Sequence, residues 1–139
     1  MFSLTISDHI MIAHSIRGAE FEPAQGLHGN TLVVEAEFRG PILDKLNFLI
    51  DVDLAKGELR KILDGLDYKN LDEIPALAGQ NTTMEFLSRH IHRLLVEACR
   101  AGRLGETART LAAIKVRLRE SPRAWASFEG SIEAGGLAE

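Results

Sequence analysis

The sequence predicts an α+β fold in which an antiparallel sheet carries two helices on one face. Three observations predict it. Apolar and polar residues alternate near both ends of the chain, the spacing of half-buried strands. Two segments between those ends carry apolar residues three and four apart, the spacing of helices with one buried stripe. The resulting order, β-β-α-α-β-β, segregates helices from strands as α+β folds do.

Phe2, Leu4, Ile6, Ile10, Ile12 and His14 share the even positions of the first strand, and Ser3, Thr5, Ser7 and His9 take its other face. Asp8 interrupts the apolar set, so a bulge is expected near Asp8-His9. Residues 15–26 carry Gly18, Pro23 and Gly26 and read as a loop. The second strand runs from Thr31 to Phe38, with Leu32, Val34, Ala36 and Phe38 on one face, and Arg39-Gly40-Pro41 ends it. The first helix spans Asp53 to Leu66, with Asp51 or Asp53 at its start. Asp67 to Gln80 is a connection. Thr82 and Glu85 match a capping box that opens the second helix, whose stripe is Leu87, Ile91, Leu94, Leu95 and Ala98. Ala112 to Arg119 alternates as a third strand, and Ala124 to Ser131 follows as the fourth. Residues 1–132 form one domain, and residues 133–139 read as a mobile tail. The edges of such a sheet lack proline protection, and association through them would satisfy their backbone groups.

Composition narrows the function classes. The 139 residues suffice for one core. Apolar residues make up 45% and charged residues 26%, ordinary values for a globular protein. Net charge is −4 and no basic run occurs, which argues against nucleic acid as a partner. The single cysteine, Cys99, rules out an internal disulfide framework and points to a reducing compartment. No apolar run approaches the roughly 20 residues of a membrane helix, and no secretory leader is seen. The expectation is a cytoplasmic protein without membrane or nucleic-acid partners.

The candidate chemistry starts at Leu27-His28-Gly29-Asn30. Successive strand residues face opposite ways, so His28 and Asn30 point the same way across Gly29. Two ligand-type side chains at a strand mouth form half of a metal or substrate site. His14, closing the first alternating run, is a third candidate.

In this order the motifs resemble the 6-pyruvoyltetrahydropterin synthase / 6-carboxytetrahydropterin synthase family. The resembling segments are Ile12-Ala13-His14, His28-Gly29-Asn30, Asp51-Val52-Asp53-Leu54-Ala55-Lys56, Leu66-Asp67-Tyr68-Lys69-Asn70-Leu71, Asn81-Thr82-Thr83-Met84-Glu85, and Glu120-Ser121 with Ala126-Ser127-Phe128 behind. The resemblance implies the tunnelling fold (T-fold): three copies join sheets into a barrel, two barrels stack as a homohexamer, and sites lie between subunits. It implies a pterin-like ligand. Glu120 would anchor the ring, accepting its amide-like N–H and exocyclic amine, as one carboxylate serves two adjacent donors. Thr82 and Thr83 would lie near the ring in a neighbouring subunit, and Glu85 would be a further ligand contact.

The departures are as informative. The family holds zinc with three histidines, and the matching positions here are His14, His28 and Asn30. An amide oxygen is a poor zinc ligand beside imidazole, so zinc or another divalent metal is in doubt. The family's cysteine positions fall on Ala24 or Glu22, and Cys99 sits mid-helix. The family's Asp-His pair becomes Asp67-Tyr68, which loses the group that titrates near neutral pH.

Each position also has an ordinary structural reading. Glu85 closes a capping box, Asn30 is a turn residue, and Glu120 pairs with Arg117 or Arg119. Trp125 packs in the core. His90 and His92, two apart on a helix, are solvated. Weighed together, the sequence predicts a pterin-binding protein acting as a lyase on the side chain of a reduced pterin. Asp67 and Tyr68 would handle protons, and Asn30 would join the ligand contacts. The alternatives are a non-catalytic pterin- or purine-like-ligand-binding protein, a structural barrel subunit, and a true synthase with an unusual metal site.

Overall fold

The computed structural model describes residues 1–18 and 26–133. The expected tail from residue 134 onward, and most of the expected loop before Gly26, lie outside the described residues. β1 (Phe2–His14) and β2 (His28–Gly40) form one antiparallel ladder. After it come α1 (Val52–Asp64), the two-residue β3 (Lys69–Asn70), α2 (Met84–Arg100), β4 (Ala113–Ser121) and β5 (Ala124–Ser131). The sheet order is β3-β1-β2-β4-β5, antiparallel except where β3 pairs with Ile12 and Ala13 of β1. The fold is the α+β arrangement expected.

Alternation builds the sheet. Ile6, Ile10 and Ile12 of β1, Leu32, Val34, Ala36 and Phe38 of β2, and Ile114, Val116 and Leu118 of β4 are all buried on one face. α1 packs over β1, and α2 over β4 and β5. Ala55, Leu59 and Leu63 of α1 and Leu87, Ile91 and Leu95 of α2 complete the same core. The opposite sheet face is polar: Arg117 pairs with Glu35 at 2.8 Å, and Arg39 with Glu129 at 2.8 Å.

Several expectations are corrected. The β1–β2 ladder runs without a register shift from Phe2↔Gly40 to His14↔His28, so no bulge occurs at Asp8. Arg60 of α1 reaches Asp8 at 3.2 Å, which accommodates a carboxylate in the apolar row without breaking the ladder. The cap of α2 is Thr83, whose hydroxyl accepts Phe86 N–H at 3.1 Å; Thr82 and Glu85 form no capping box. α1 is capped by Asp51, which accepts the N–H groups of Asp53 and Leu54. β3 lies within the expected connection, too short to leave a periodic signal. The connection also holds single 3-10 turns at Leu71–Glu73 and Pro75–Leu77.

His92 is 1% exposed, not solvated. Its Nε2–H donates to Gly130 of β5 at 3.1 Å, because a carbonyl only accepts. A Cβ on Gly130 would stand 2.8 Å from His92 Cε1, so the contact needs glycine there. Trp125 is 54% exposed rather than in the core. It sits opposite Arg119 in the ladder, on the polar face, under the Arg117 guanidinium. No helix among the described residues is long and apolar enough to cross a membrane.

Candidate functional site

The apolar row that faces the helices turns polar at one end of the sheet. His14 and His28 are ladder partners, so their side chains share a face. Their ring centroids stand 4.8 Å apart, edge to face at 60°. Asn30, two residues along β2, projects to the same side. Glu120 of β4 lies where the ladder to β5 shifts register, between Arg119 and Ser121, and its carboxylate reaches the same side. Asn30 Nδ2 donates to Glu120 Oε2 at 3.3 Å across the two strands. The expected pairing of Glu120 with Arg117 or Arg119 does not form: those residues occupy the other face, and Arg117 engages Glu35.

Each imidazole is oriented through Nδ1. His28 Nδ1 lies 2.9 Å from the Gly26 carbonyl, so Nδ1 carries a hydrogen and, in the neutral ring, the lone pair sits on Nε2. His14 Nδ1 lies 3.1 Å from the Thr82 hydroxyl, and both groups are buried. Burial, then the neighbouring His28, push the His14 pKa below the usual imidazole value. Thr82, Asp72 and Glu120 oppose that shift without reversing it, so the site favours the neutral ring of His14. His28 and Asn30 are half-buried and Glu120 is exposed, which leaves the cluster open on one side.

A neighbour that the sequence did not mark is Asp72. Asn70 caps the turn that follows β3, accepting Asp72 N–H at 3.0 Å. Asp72 in turn receives the Ser15 hydroxyl at 2.6 Å, just beyond His14. The Asn70–Asp72 spacing was its only signal.

Asp67 and Tyr68 stand elsewhere in the chain. Asp67 accepts Met11 N–H at 2.8 Å and Arg60 Nη2 at 2.8 Å. These bonds, led by the Met11 amide, hold its pKa below the ordinary carboxylate value. Tyr68 is 80% exposed at φ 58°, with its N–H on the Met11 carbonyl. No hydrogen bond, ion pair or ring contact among the described residues joins either of them to His14, His28, Asn30 or Glu120. Thr83 is spent on capping, and Glu85 is exposed in the first turn of α2.

As a metal centre the donor set is short. His14 and His28 offer two imidazoles, and the third strand-end position offers an amide already donating to Glu120. Among the described residues no group of three histidine, cysteine, aspartate or glutamate side chains is arranged to hold a metal ion. The residues present do not fit a three-histidine zinc site. What they can do is present a carboxylate, an amide and two imidazoles to a small polar ligand.

The family model for 6-pyruvoyl tetrahydropterin synthase matches residues 3–131. The fold is similar to that of the Caenorhabditis elegans 6-pyruvoyl tetrahydropterin synthase, with a TM-score of 0.76 and 20% identity over 94% of this chain and 96% of that one. It is similar to the Plasmodium vivax enzyme at a TM-score of 0.75 and 18% identity, covering 94% and 98% of the two chains. The Plasmodium falciparum enzyme gives 0.71 and 19%, covering 93% and 98%.

Proposed function

The chain belongs to the 6-pyruvoyl tetrahydropterin synthase family, and from that premise we propose that it binds a reduced pterin through Glu120 and cleaves its side chain as a lyase. The observation that carries this reading is the position of Glu120. A carboxylate stands at the end of β4, hydrogen-bonded to an amide on the face that carries two imidazoles. A 2-amino-4-oxo ring offers two adjacent N–H donors, which one carboxylate accepts side by side.

Cleavage of the side chain needs one base and one acid. The base takes a hydroxyl proton, the neighbouring carbon–carbon bond breaks, and the electron pair passes to the ring imine. The acid then protonates the carbon left on the ring. The lone pair on His28 Nε2 suits it to the base role. Tyr68, exposed at the β1 edge, supplies the acid from a neighbouring copy. Asp67 is a fixed carboxylate that holds the Tyr68 turn through Met11 and Arg60. In the Plasmodium vivax enzyme a glutamate is a catalytic residue. The site works without zinc, because only two of its metal positions carry strong donors.

The partner is a further copy of the chain. β3 pairs with β1 at Ile12 and Ala13, Asp67 and Tyr68 engage Met11, and β5 is the last strand of the sheet, so the rest of the β1 edge and β5 offer pairing groups. A second reading, a binding protein without turnover, is favoured by one observation: Asp67 is engaged on both oxygens and has no proton to give.

The test is a titration of wild-type protein and Glu120→Ala with neopterin, dihydroneopterin and guanosine, followed by product analysis after incubation with dihydroneopterin. The expected result is pterin binding that the substitution weakens about 30-fold, the effect of losing a charge-assisted hydrogen-bond partner. A carbon–carbon cleavage product supports the lyase, and binding without product supports the second reading. Zinc retained through dialysis together with turnover of dihydroneopterin triphosphate supports a true synthase instead. Folded, oligomeric wild-type protein that binds no pterin overturns the proposal and leaves the structural barrel.

A further inference from the structure

We infer that Asn30 is a positioning residue that holds the Glu120 carboxylate in its ring-binding orientation, a task that replaces metal ligation at that strand position. The inference rests on the ring-anchor reading of Glu120. It goes beyond that reading by saying what fixes the anchor and what the third ligand position does.

Three side chains converge from β1 and β2 on the helix-facing side: His14, His28 and Asn30. Two of them are aimed by bonds at Nδ1, to Thr82 and to the Gly26 carbonyl. Asn30 makes a different kind of contact. Its Nδ2 reaches across the sheet to Glu120 Oε2. A metal ligand at this position would have to present a lone pair; Asn30 spends an N–H donor on a carboxylate. The amide suits that work, being short and neutral, with two N–H donors on one nitrogen.

The consequence for the anchor follows from counting lone pairs. A carboxylate has two on each oxygen. The bond from Asn30 occupies one on Oε2. Oε1 and the second Oε2 site remain for two adjacent ligand donors. Glu120 is otherwise an exposed side chain with freedom to lose on binding. Holding it before the ligand arrives lowers that cost. The ligand class that gains is a bicyclic ring carrying a ring N–H beside an exocyclic amine. A ring with a carbonyl in place of that amine gains little.

The experiment compares wild type with Asn30→Ala, Asn30→Asp, Asn30→His and Glu120→Ala. It measures the affinities of neopterin and of lumazine, the analogue lacking the exocyclic amine, and the zinc retained after dialysis. Asn30→Ala and Asn30→Asp are expected to weaken neopterin about tenfold and to lower the neopterin-to-lumazine preference, with the melting temperature unchanged. Asn30→His is expected to lose the same preference and to raise zinc retention toward one ion per chain. Unchanged neopterin affinity in Asn30→Ala and Asn30→Asp, with Glu120→Ala still impaired, overturns the role of Asn30 and leaves the ring anchor standing. Unchanged affinity in all three overturns the anchor as well. Zinc retention by wild type equal to that of Asn30→His overturns the replacement of metal ligation.

Discussion

The two ends of the helix-facing side of the sheet are built on the same alternation and finish in opposite chemistry. At one end β2 closes with Phe38, fully buried, and with Gly40, which lies tight against Leu49 and the backbone at Thr110 and Leu111. At the other end the same rows finish in His14, His28, Asn30 and Glu120. The strands do not change their pattern between the two ends; only the side chains do. A polar group that persists in a core-facing row is therefore the signal to follow. Asp8 shows the other outcome of that signal, since Arg60 pairs with it and it becomes part of the frame.

Three substitutions sharpen this contrast. The largest effect belongs to Phe38→Ala at the apolar end. It removes a fully buried aromatic and is expected to cost about 3–5 kcal/mol in denaturant unfolding, with ligand affinity per folded molecule unchanged. Asp67→Asn lies between the extremes. It removes a charge from the bonds to Met11 and Arg60 and is expected to cost about 1–2 kcal/mol at pH 7. Because folding lowers the Asp67 pKa, its contribution is present above the unfolded value of about 3.9 and is lost as pH falls through the lower folded value. The stability gap between wild type and Asp67→Asn should therefore close in acid. The smallest effect on stability belongs to Glu120→Ala, within about 0.5 kcal/mol, because the side chain is exposed. A loss from Glu120→Ala as large as that from Phe38→Ala would make the polar end a continuation of the core and break the comparison.

The strands were legible because their faces are chemically distinct, and β5 runs from Ala124 to Ser131 as expected. The face of Glu120 was missed, because Arg117 and Arg119 suggested an ion pair on the basic face, whereas its carboxylate meets Asn30. β3 was not legible, since two residues carry no period. Nor was the burial of His92, which depends on a glycine thirty-eight residues later leaving room for the ring. Thr82 and Thr83 were singled out together, yet their division of labour turns on which hydroxyl faces inward. One caps α2 and the other meets His14. Asp67 and Tyr68 are adjacent in sequence to residues that pair with β1, and the fold keeps them at that edge, away from the imidazoles.

The uninterrupted ladder between β1 and β2 acts as a ruler for inheritance. The juxtaposition of His14 and His28 is set by counting from Phe2 opposite Gly40. A single-residue deletion inside either strand upsets that count. It would turn every side chain beyond it to the other face and move half of the cluster onto the polar side. Length variation among relatives should therefore be purged from residues 2–14 and 28–40.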